Sequence, residues 1–118
     1  MARGRIEDAA GLAAVHAWSS GDRSRQVVAT AVRWTLQALA DRAPGKSVEV
    51  RVPPFGAVQC VEGPGHTRGT PPNVIELDAE TWLSLATGAL GWAAALASGE
   101  VRASGVRADV SWALPLVR

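Results

Sequence analysis

The sequence predicts an α+β domain: a mainly antiparallel sheet of four to five strands, packed by helices. Three observations predict it. Two helix-periodic segments occupy the first third of the chain, three short strand-like runs follow with only turn signals between them, and a second helical block leads into one more alternating run. The resulting order is α-α-β-β-β-α-α-β-α. Strands that succeed one another this closely favour antiparallel pairing, with the helices gathered on one face.

Residues 7–19 read as the first helix, with a stripe formed by Ile6, Ala9, Ala10, Ala13, Ala14 and Ala17 and with Leu12 and Val15 at its edges. Ser19-Ser20-Gly21-Asp22 stops it, and Asp22 is placed to accept from the open amides of the next helix. That helix spans 23–42. Val28, Ala31, Val32, Thr35, Leu36 and Leu39 recur at helical spacing, and Val27, Trp34 and Ala38 form a second apolar strip beside them. The two strips together exceed the usual apolar arc, so this helix must be covered on more than one side. Ala43-Pro44-Gly45 ends it. Val48 to Val52 alternates as a half-buried strand, and Pro53-Pro54 turns the chain. Phe55 to Glu62 is a second strand whose facing stays open: either Val58 and Cys60 point inward or Ala57 and Val61 do.

Residues 63–72 form a loop punctuated by Gly and Pro, and Asn73 to Leu77 is a third strand. Asp78 caps a helix carrying Trp82, Leu83, Leu85 and Ala86, with Glu80 at its positive end. Gly88 interrupts it, and residues 92–97 continue it as a short helix. Residues 100–103 read as a fourth strand. Residues 107–114 read as a last helical segment holding Trp112, with Pro115 limiting its extension.

At 118 residues the chain is expected to be one domain over 1–118 with a core of its own. A composition 47% apolar and 19% charged excludes a disordered chain. A net charge of +1 supplies no field for nucleic acid or an anionic membrane, so neither nucleic-acid binding nor stable membrane insertion is expected. A single cysteine and two histidines supply neither a disulfide nor a zinc cage, and no metal or cofactor is predicted. The apolar run at 83–97 is too short to cross ~30 Å of hydrocarbon. The opening residues turn from basic to acidic, unlike a secretory leader. These features point to a soluble, cytoplasmic protein with a reduced thiol.

Several side chains invite a chemical reading. Cys60 on a strand and His66 on the next loop could meet as nucleophile and base, but no third group orients them, and a small buried cysteine with a loop histidine accounts for both. His16 has no partner at metal spacing. The loop around Gly63 to Gly69 lacks the Gly-Lys-Ser/Thr ending of a phosphate cradle, so Arg68 is left to an anionic head group or to a carboxylate such as Glu62 or Glu76. Arg23, Arg25 and Arg33, with Asp22 and Asp41 nearby, read as a solvated face. Five tryptophans stand beside one Phe and no Tyr. Four of them, Trp34, Trp82, Trp92 and Trp112, fall on predicted helices, where they either pack a core or wall a cavity.

The second half carries a pattern of its own. Asp78 opens a helix that closes with Leu85-Ala86-Thr87-Gly88, followed by Ser98-Gly99-Glu100-Val101-Arg102-Ala103-Ser104-Gly105 and a final apolar segment. This order and spacing resembles the sterol carrier protein family. The first half, through Ser47 to Cys60 and His66 to Val74, is similar to the family's actinobacterial branch, the bacterial orthologues. The resemblance implies a sheet and helices around an elongated apolar cavity for a fatty acyl, sterol or phospholipid ligand, and it implies no catalysis. On that reading Val27, Trp34, Leu36, Trp82, Leu85, Trp92, Leu96 and Trp112 form the wall, with Gln59 or Arg68 as polar anchor. The alternative is an interaction module, a possible homodimer, whose core is filled by its own side chains.

Overall fold

The computed structural model describes residues 4–64 and 72–117. Helices α1 (Asp8–Ser19) and α2 (Arg25–Arg42) are followed by strands β1 (Val48–Val52), β2 (Gly56–Cys60) and β3 (Asn73–Glu76). Helices α3 (Ala79–Thr87) and α4 (Trp92–Ala97), strand β4 (Arg102–Ser104) and one 3-10 turn (Ser111–Ala113) complete the chain. The class is α+β, as the sequence predicts. Four strands form one open sheet in the order β2-β1-β3-β4. Its β1–β2 and β3–β4 ladders are antiparallel and its central β1–β3 ladder is parallel, so the sheet is mixed. The parallel pair is possible because about a dozen residues separate β2 from β3, enough to carry the chain back to the end where β1 began.

Alternation decides which face of the sheet is buried. Val48, Val50 and Val52 of β1 point inward, register with Cys60, Val58 and Gly56 of β2, and meet Asn73 and Ile75 of β3. This settles the facing of β2, because Ala57 and Gln59 are exposed. The outer face is polar: Arg51 pairs with Glu49 at 3.2 Å, and Arg102 pairs with Glu76 at 3.0 Å.

Helix α2 lies on the inner face and contacts α1, α3 and β2, which explains its wide apolar arc. Ala31, Val32, Thr35, Leu36 and Leu39 are all buried. Its cap is Ser24, which accepts from the Val27 amide, while Asp22 instead accepts from the Ser24 amide. Asp22 therefore organises the turn before the helix rather than the helix end itself. For α3 the expected Asp78 cap forms, with Thr81 N–H donating at 2.8 Å.

Helix α1 starts and β3 ends within one residue of the sequence reading, α2 begins at Arg25 rather than 23, and three further segments differ for reasons that their hydrogen bonds show. Strand β2 is shorter than 55–62, because Val61 leaves the ladder in a left-handed conformation (φ 65°), its carbonyl accepting from both the Ser47 amide and hydroxyl. Strand β4 begins at 102 rather than 100, since the Glu100 and Val101 amides still donate to Ala95 at the end of α4. The last segment makes one 3-10 turn, not a helix over 107–114. It is tied instead to its surroundings: the Arg107 amide donates to Asn73, and the Leu116 and Val117 amides both donate to the Ala86 carbonyl.

Candidate functional site

An apolar cleft of about 200 Å³ opens where α3, α4 and the C-terminal segment meet. Its construction starts at Gly88. This residue ends α3 with φ 83°, a left-handed turn that glycine adopts without cost. The chain then bends through Leu90 and Gly91 into α4, which brings Trp92 opposite Leu85 of α3. The remaining wall is Ser111, Leu114 and Pro115. Two sets of hydrogen bonds hold that wall in place. The Ala86 carbonyl, near the unsatisfied end of α3, takes the Leu116 and Val117 amides at 2.8 and 3.0 Å. From α2, the Arg42 guanidinium donates to the Ala113 and Pro115 carbonyls at 2.9 and 3.2 Å.

None of the lining side chains is charged, and the Ser111 hydroxyl and the Trp92 indole N–H are the polar groups among them. The cleft can therefore remove hydrocarbon from water but offers no group to move a proton. Two other openings have a different character. One of about 310 Å³ is lined by Asp78, Glu100 and Arg102 with only Pro53 and Leu77 as apolar residues, which suits ions and water better than hydrocarbon. The other, about 230 Å³, is a groove between α2 and β2 bordered by Arg33, Leu36, Gln37 and Val58.

The residues proposed from sequence as a ligand wall fall into separate places. Trp34 and Trp82 lie inside the core, and each indole N–H has a protein partner: Trp34 donates to Asp8 at 3.1 Å and Trp82 to Thr35 at 2.7 Å. Leu36 is buried and also reaches the groove beside β2. Val27 is half-buried against the core. Gln59 points from the polar outer face of the sheet, and Arg68 lies outside the described residues. Leu85 and Trp92 are brought together in the cleft. Leu96 and Trp112 stand exposed, 45% and 62% respectively. Leu90, Leu114 and Pro115 were not singled out from sequence, because they sit in short irregular segments where no periodicity marks a face.

The nucleophile reading loses its chemical basis at Cys60. The thiol is fully enclosed, and burial pushes it up to about 11, whereas a nucleophilic cysteine needs a lowered value and an accessible sulfur. His66 lies outside the described residues, and His16 is exposed in the last turn of α1. Among the described residues no three His, Cys, Asp or Glu side chains are grouped to hold a metal, and no helix is long and apolar enough to cross a membrane.

Residues 24–116 match the model of a protein family described as bacterial SCP ortholog. No curated protein matches the chain. The matched span includes every element from α2 onward and all residues of the cleft.

Proposed function

The chain belongs to the bacterial orthologues of sterol carrier protein, and from that premise we propose that it binds a lipid-like apolar ligand, without catalysis, in the cleft between α3, α4 and the C-terminal segment. The observation that carries this reading is the uncharged lining formed by Leu85, Leu90, Trp92, Leu114 and Pro115. Enclosing hydrocarbon there contributes ~25 cal/mol per Å² of apolar surface before ordering costs. The site lies at one end of the helical layer. Apart from the groove beside β2, the core that the helices and the sheet share is filled by side chains such as Val32, Leu36, Leu39, Val50, Ile75 and Trp82, all nearly or fully buried. At about 200 Å³ the cleft is smaller than the roughly 300–1,000 Å³ typical of sites that enclose a whole small molecule. It accommodates a segment of an acyl chain or one edge of a ring system, with the rest of the ligand lying outside.

Titration with cis-parinaric acid, a fluorescent fatty acid, tests the reading. Binding is expected, with displacement by unlabelled fatty acid and an affinity about tenfold weaker in Trp92→Ala, whose circular dichroism stays native. No binding, together with no lipid retained in native mass spectrometry, overturns the proposal, as does a Trp92→Ala protein that binds like the parent. The second reading is self-association, for which the exposed Trp112 and Leu96 would be the contact residues. Light scattering separates the two: a concentration-dependent dimer that takes up no probe would replace the lipid reading.

A further inference from the structure

We infer that residues 88–99, with Trp112 beside them, form a wedge that inserts into the surface of a phospholipid bilayer. The segment reads Gly-Ala-Leu-Gly-Trp-Ala-Ala-Ala-Leu-Ala-Ser-Gly and contains no charged side chain. It nevertheless lies at the surface, where Ala95 is its one buried residue, Leu90 and Trp92 are half-buried and Leu96 is exposed. A helix facing water carries polar or charged residues on its outer side, and this outer side has none. Leu96 stands one turn beyond Trp92 on α4, and Trp112 follows the cleft residue Ser111 in the 3-10 turn; both side chains are exposed.

Area decides between a bilayer and a second copy of the chain. With six residues, α4 is about 9 Å long and about 10 Å wide, a projected face on the order of 100 Å². Trp112 adds at most about 150 Å². A stable protein interface needs about 800 Å² from each partner, which this wedge does not reach. Insertion into lipid has no such threshold, since each buried methylene contributes separately, and tryptophan favours the boundary between headgroups and hydrocarbon. The wedge itself carries no charge and so needs no anionic surface: Glu100, Arg102, Arg107 and Asp109, which follow it up to residue 117, balance one another, and Arg42 near the C-terminal segment donates to the Ala113 and Pro115 carbonyls. The purpose of the wedge rests on the proposed function, because Leu90, Gly91 and Trp92 belong to both wedge and cleft and let a lipid pass between bilayer and cleft without crossing water.

Flotation of the full chain with phosphatidylcholine vesicles, without added ligand, tests the inference. The protein is expected to float, and to float equally at about 0.05 M and about 0.5 M salt, because screening has no charge to act on. Leu96→Asp and, independently, Trp112→Ser should each lower vesicle partitioning about tenfold with native circular dichroism, while Ala13→Asp on the exposed side of α1 should not. The inference is overturned by absence of flotation, by binding that needs anionic lipid and disappears in salt, by full flotation of both variants, or by a dimer that Leu96→Asp dissociates. A protein that binds cis-parinaric acid yet does not float fails here alone. One that floats yet binds no probe fails only as a carrier.

Discussion

Cys60 lies opposite Val48 in the β1–β2 ladder, with no solvent contact and no cation to favour a thiolate. Burial alone raises its pKa from 9.0 to about 11. Between those values the unfolded chain releases a proton that the native state keeps, so the native state binds more protons and stability falls as pH rises through this window. The separation from 9.0 to about 11 corresponds to roughly 3 kcal/mol, present in full below pH 9 and lost progressively up to about pH 11. Urea melts over that range should show this slope in the parent and a flatter one in Cys60→Ala. Iodoacetamide should label the thiol only on unfolding. Sequence could identify Cys60 as a strand residue, but its environment depends on which way β2 faces, and that follows from the Val48, Val50 and Val52 register.

The clearest case at the scale of an element is α1. Its alanines offer no contrast between faces, and the stripe expected through Ala9, Ala10 and Ala13 is exposed. The buried residues are Gly11, Ala14, Val15 and Trp18, spaced at i, i+3, i+4 and i+7. Gly11 is the reason for this rotation. A Cβ there would lie 2.0 Å from the Trp34 ring, so the glycine makes room for an indole whose N–H is fixed by Asp8 one turn away. Gly11→Ala should gain helix propensity and still destabilise the protein by about 1–3 kcal/mol, because the Trp34 ring cannot move without leaving Asp8. A lower denaturation midpoint at unchanged m-value checks this. Helix α2 was more legible because its apolar positions are large and its arc broad. The 107–114 segment does not form the expected helix because amides such as those of Arg107 and Ser111 find partners outside a helical ladder.

In the whole molecule, the C-terminal segment closes the helical layer and makes the cleft. Its position depends on residues far away in sequence: Arg42 holds the Ala113 and Pro115 carbonyls, and Ala86 holds Leu116 and Val117. Arg42→Met keeps the apolar stem and removes the donors. For a partly solvated arginine the loss should be about 1 kcal/mol. Hydrogen exchange at the Leu116 and Val117 amides should accelerate about fivefold, and cis-parinaric acid should bind more weakly. Unchanged exchange at both amides would show that Arg42 does not hold the segment. By itself the sequence determined the α+β class, the span of β1 and α4, the Asp78 cap and the family pattern, because these depend on periodicity and local hydrogen bonding. Tertiary structure alone decided the parallel β1–β3 pairing, the enclosure of Trp34 and Trp82, and the meeting of Leu85 with Trp92 and Leu114. Those depend on segments distant in sequence filling the same space, which no local pattern encodes.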